Sequence, residues 1–108
     1  MAEGELQRLL GFIDEACVPL STRSFGFTVE VWDLTVATLV RKSVLHCIYL
    51  ADAASTGTVR RHNREQIRAV AAAVAARKNL RPYTQAAAVD FLKLVEDSWD
   101  QKSQTSNG

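Results

Sequence analysis

Helix breakers, thiols and net charge are all scarce in this chain of 108 residues. It has two prolines and five glycines, which excludes collagen-like and Pro/Gly-rich disordered classes and leaves few interruptions to helix. The two cysteines, Cys17 and Cys47, form no CxxC pair and have no histidine at zinc spacing. They read as buried free thiols, with a disulfide between them as the alternative. A formal net charge of +1 provides no concentrated basic surface, so strong nucleic-acid binding by bulk charge is not expected, although local basic patches remain open. Asp33, Arg41 and Lys42 interrupt the longest apolar run before it reaches the roughly 20 residues that span a bilayer. Glu3 and Glu5 before Leu9 and Leu10 lack the basic start of a secretory signal. A cytosolic or nuclear location with no membrane contact is the expectation.

Catalytic and cofactor signals are missing too. There is no Gly-rich phosphate loop and no array of metal ligands, so neither cofactor nor metal is expected. His46 and His62 have no Ser, Cys or carboxylate constellation around them. The adjacent pairs Asp14–Glu15 and Glu96–Asp97 point apart on a helix and make no dyad. Neither enzymatic activity nor a small-molecule substrate is expected.

What the chain does have is a hydrophobic share of 47% against 23% charged residues, an ordinary balance for one domain, expected over residues 1–100. Its centre is the run Thr28 to Ala54, which reads as one long helix. Glu30, Asp33, Arg41 and Asp52 fall in a narrow polar stripe, while Val29, Trp32, Val36, Leu39, Val40, Cys47, Leu50 and Ala54 form the opposite arc. Val31, Leu34, Leu45 and Ile48 reach round to the edges of the polar stripe. A helix apolar over most of its circumference needs cover on several sides, and a small domain has little to cover it with. Either the short neighbours wrap it or a second chain supplies part of the cover.

Before it, Leu6, Leu9, Leu10, Ile13 and Cys17 recur at helical spacing over Glu5 to Cys17, and Pro19 makes continuation unfavourable. Val18 to Phe27 reads as a loop pinned by Phe25 and Phe27, and Thr28 as the N-cap of the long helix with Glu30 complementing its dipole. Ser55-Thr56-Gly57-Thr58 reads as its stop. Val59 to His62 then reads as a short extended piece, and Asn63 with Gln66 as a capping box opening a third helix from Arg64 to Arg77, with Ile67, Val70, Ala71 and Val74 on one face. Arg77, Lys78 and Arg81 surround its end, where positive charge is favourable. Lys78 to Tyr83 is a linker, and Thr84 caps a fourth helix whose stripe is Ala88, Leu92, Val95 and Trp99, with Phe91 and Leu94 beside it. The tail, residues 101–108, lacks apolar side chains and is expected to be disordered.

This order of elements resembles the histone fold, the helix–strand–helix–strand–helix unit of core histones, the CCAAT-box-binding factor, TBP-associated factors and centromeric histone-fold proteins. The resemblance covers roughly Leu6 to Val74, and its best local stretch is TVRRHNREQI, residues 58 to 67, similar to the family's second loop. Arg61 and His62 take the place of the loop strand, Asn63 that of the cap, and Glu65-Gln66-Ile67 that of the last helix's start. The segment after Pro82 resembles the additional C-terminal helix of non-nucleosomal members. Gln66 rather than an acidic residue precedes Ile67, and the basic N-terminal tail of a core histone is absent, which points away from a nucleosomal histone.

The resemblance implies an all-α histone fold that pairs obligately with another histone-fold protein, as a structural part of a nuclear chromatin, transcription, replication or centromere assembly. Trp32, Val36, Leu39, Val40, Cys47 and Leu50 are the expected partner interface, and Arg23, Arg60, Arg61 and Arg64 the candidate DNA contact. The alternative is an unrelated four-helix module that forms a homodimer. Trp99 and Phe91 either dock a partner helix or fold back on their own core.

Overall fold

A computed structural model describes residues 2–19, 28–54 and 56–100. Four helices follow in order, α1 Ala2–Ala16, α2 Val29–Asp52, α3 Gly57–Ala75 and α4 Pro82–Val95, the last running into a π-helical turn over Glu96–Asp100. No strand occurs among the described residues. Phe25, Phe27 and the tail fall outside them.

Cross-helix contacts fix the directions. Gln66 on α3 meets Gln7 on α1, and Arg77 just beyond α3 meets Asp14, so α1 and α3 run parallel. Asp33 on α2 meets Thr84 on α4, and Arg41 meets Asp90, so α2 and α4 run parallel too. The result is an up-down-up-down bundle in which α1 and α4 lie on opposite sides of the α2–α3 pair. Its shortest extent is 17 Å, the thickness of two helix layers at the usual 8–10 Å spacing. In a bundle only two layers thick, each helix keeps an outward face.

The core is drawn from all four helices. Leu6, Leu10 and Ile13 come from α1 and Cys17 from just beyond it; Val36, Ala37, Val40, Val44, Cys47 and Ala51 come from α2. Ile67, Ala71 and Val74 come from α3, Ala87, Ala88, Phe91 and Val95 from α4, and Trp99 from the π turn. The apolar spacings of α1 and α3 therefore bury the faces expected of them, with Leu9 and Val70 half-buried at the edges. In α4 the largest fully buried side chain is Phe91, while Leu92 is half-buried and Leu94 exposed. Trp99 folds back on this core. Cys17 and Cys47 are free and buried, and burial pushes the Cys47 thiol up to about 12. Burial also raises the Cys17 thiol, with Arg77 pulling the other way.

Four local expectations are corrected by the structure. Residues 59–62 are not extended: Thr56 caps α3 through a 3.2 Å bond from the Val59 amide to its hydroxyl, and the helix begins at Gly57. Asn63, expected as a cap, is consequently buried inside α3. Thr84 is not the N-cap of α4 but lies in its first turn behind Pro82, and the position before the helix, Arg81, supplies no side-chain cap. Asp33 supplies it instead. Its Oδ2 accepts the Tyr83 amide at 2.8 Å, and its Oδ1 accepts the Thr84 amide at 2.8 Å and the Thr84 hydroxyl at 2.6 Å. Asp33 was expected on the outward polar stripe and is 2% exposed. A carboxylate among the orphan amides of a helix start is favoured by both hydrogen bonding and the helix dipole, and this draws the buried side of α2 round toward Asp33, Ala37, Val44 and Ala51.

Two arginines close other helix ends. Arg77, expected to serve the end of its own helix, donates to the Asp14 and Cys17 carbonyls at 2.6 and 2.9 Å and pairs with the Asp14 carboxylate, so it satisfies the C-terminus of α1. Arg60 donates to the Ala54 carbonyl at 2.6 Å and ties the α2–α3 turn. Between α3 and α4, Asn79 takes a positive φ of 68°, a conformation that Asn tolerates better than most residues.

Candidate interaction surface

One side of α2 is core and the other is uncovered. At helical spacing Val31, Leu34, Thr38, Leu45 and Tyr49 share the outward side, and Leu45 and Tyr49 are 61% and 69% exposed. The threonines on this side are less polar than their formulae suggest. Thr35 Oγ1 donates to the Val31 carbonyl at 2.8 Å and Thr38 Oγ1 to the Leu34 carbonyl at 2.9 Å. A hydroxyl satisfied by its own helix turn leaves its methyl as the outward contact.

The parallel neighbour α4 extends this surface. Leu94, exposed, lies along the edge of α4 that faces α2, and Tyr83 is exposed in the first turn of the same helix. A groove of about 350 Å³ runs between the helices, with Val44 and Phe91 among the residues at its base and Leu45 and Leu94 among those at its rim. Arg41 and Asp90 pair across it at 3.0 Å, and Lys93 and Asp97 line it as well. Both pair members are substantially exposed, so the bridge orients side chains more than it stabilises the fold.

The expected interface residues divide between core and surface. Val36, Val40 and Cys47 are buried in the chain's own core, covered by its own flanking helices, so they are not free to meet a partner. Trp32 and Leu50 are half-buried against that core and Leu39 is exposed. The open apolar side lies instead at Val31, Leu34 and Leu45, which the sequence placed at the edges of the polar stripe, and at Tyr49. The signal that could have found it is Asp33: once this carboxylate turns inward, the opposite side of α2 must turn out.

The basic residues also divide. Arg23 lies outside the described residues. Arg60 and Arg64 are tied to the end of α2, Arg60 through Ala54 and Arg64 through a 3.0 Å bond to Asp52. Arg61 is exposed on the same side of α3. His46 lies 3.3 Å from Glu5 at the surface, and His62 contacts Gln66 one turn along α3.

By length and composition α2 passes for a membrane-spanning helix, more apolar overall than its interrupting charges suggest; here its inner side packs in the bundle core. No protein-family model, curated protein or solved structure matches this chain.

Proposed function

We propose that this chain is a non-enzymatic protein-interaction module, a four-helix unit that pairs with a second copy of itself through the outer side of α2 and the adjoining edge of α4. The observation that carries this reading is the uncovered apolar strip from Val31 to Tyr49, with its threonine hydroxyls already satisfied. The strip runs about 27 Å along α2. With the edge of α4 beside it, on the order of 500 Å² per copy is on offer, at the low end of what specific association uses. Reversible, concentration-dependent pairing follows. Lys42, exposed within the same outward side of α2, and Asp97 beside the groove just beyond α4 put both charge signs on the pairing surface of one copy. A two-fold related copy brings each sign opposite the other. Sedimentation of the purified chain over a range of concentrations tests it, with monomer throughout as the contrary result.

A second reading is the histone-fold subunit that pairs with a different histone-fold chain in a nuclear chromatin, transcription, replication or centromere assembly, with Arg61 at a DNA contact. The long α2 in the middle of the helix order favours it, as do Trp32, Leu39 and Leu50, which keep exposed surface on that helix. The helical course of residues 57–64 removes the loop strand that its local match required, so it ranks second. Aggregation of the chain alone, with rescue by co-expression of a distinct small partner, favours this reading over the homodimer.

A further inference from the structure

The outward side of α2 has the spacing of a coiled-coil seam. Val31, Thr35, Thr38, Lys42, Leu45 and Tyr49 follow one another at alternating intervals of four and three residues, and all six are exposed. This is the a/d repeat with which one helix packs along another. Asp33, Ala37, Val40, Val44, Cys47 and Ala51 repeat the same intervals on the opposite side, where they are buried in the bundle. The helix thus has one seam used by its own chain and a second one left over.

The outer seam is also graded by size. Its first half, Val31, Thr35 and Thr38, is small and β-branched; its second half, Lys42, Leu45 and Tyr49, is long. Two copies packed in the same direction set Thr38 on Thr38, Tyr49 on Tyr49 and the two Lys42 ammonium groups in one layer, which combines gaps, crowding and like charges. Two copies packed in opposite directions set Val31 on Tyr49, Thr35 on Leu45 and Thr38 on Lys42. Every layer then puts a small side chain against a large one, as close packing favours, and no position is left over. The Lys42 stem lies on the Thr38 methyl, and its ammonium reaches water at the edge of the contact. On the α4 edge the Arg41–Asp90 pair comes level with the two-fold axis and meets the same pair of the second copy, with the charges balanced.

We propose, resting on the pairing of copies put forward above, that the two α2 helices pack antiparallel in this register and that Lys42 selects the orientation. A single lysine in a seam fixes how two helices face each other at a cost in affinity. Leu45 and Tyr49 bind against the small half of the second copy, not against themselves.

The test is disulfide trapping between full-length chains carrying Val31→Cys or Tyr49→Cys, alone and mixed, at a concentration where sedimentation shows the dimer. Cys17 and Cys47 are buried, the parent chain is the control, and circular dichroism confirms that the variants are folded. The mixture gives a linked dimer with one chain of each kind. Neither chain links to itself, because like positions lie about 27 Å apart along the helix axis. Lys42→Leu pairs about tenfold more tightly and, added to both cysteine chains, brings links between like chains beside the mixed ones. Links between like chains while Lys42 is present show parallel packing and overturn the proposal. A dimer without the mixed link overturns it too, while leaving the pairing of copies through α2 in place. An unchanged pattern of links with Lys42→Leu overturns the role given to Lys42. A chain that sediments as a monomer at every concentration overturns the pairing itself, and the register with it.

Discussion

Asp33 and Thr84, fifty-one positions apart, join α2 to α4 by two hydrogen bonds: one carboxylate oxygen takes both the amide and the hydroxyl of Thr84. The other oxygen takes the amide of Tyr83. Replacing Asp33 by Ala leaves three donors at a buried helix start without an acceptor. We expect a loss of about 2–4 kcal/mol in urea unfolding, and about 1 kcal/mol for Thr84→Val, which removes only the hydroxyl. The double mutant should cost less than the sum, because the two changes delete the same contact. Strict additivity would show that the cap contributes nothing as a unit.

Arg77 joins the end of α3 to the end of α1 by three contacts. Arg77→Ala leaves the Asp14 and Cys17 carbonyls without that donor, and we expect a loss of about 1–2 kcal/mol. The loss should be local first, so amide exchange at Ile13 to Cys17 should accelerate more than exchange in α4. Uniform acceleration across all four helices would place the role of Arg77 elsewhere.

Cys47 makes stability depend on alkaline pH. An unfolded thiol gives up its proton near the ordinary value of 9.0, whereas folded Cys47 keeps it up to about 12. Its contribution is therefore complete below pH 9 and is lost as pH rises toward 12, because the unfolded state ionises first. Within that window the slope is about 1.4 kcal/mol per pH unit. Urea unfolding of the parent and of Cys47→Ala, compared at pH 8 and pH 11, isolates this slope from that of other groups. Parallel losses in the two proteins would contradict it.

The parts of this fold that rest on periodicity were legible in the sequence. Leu6, Leu10 and Ile13, or Ile67, Ala71 and Val74, declare their side of a helix by spacing alone. What failed was whatever depended on a distant residue. Arg81 and Pro82 open α4 with no local cap, and nothing near Thr84 reveals that Asp33 on another helix completes it. The same blindness turned α2: taken alone, Asp33 belongs with the outward charges, and the apolar arc then centres on residues that the chain in fact buries. At residues 57–63, Gly57 and Val59 suggest a stop and an extended piece, yet the Thr56 cap and the Arg60 bond to the Ala54 carbonyl support a helix start that local propensity disfavours. The resemblance to the histone fold leaned on this stretch, which is why it weakened most.

Sedimentation equilibrium of the parent chain beside Leu45→Glu tests the central claim of pairing through the uncovered side of α2. The parent should pass from monomer to dimer between about 1 and 100 µM, and Leu45→Glu should remain a folded monomer over the same range. A parent chain that stays monomeric throughout, or a Leu45→Glu chain that dimerises as the parent does, would contradict the account.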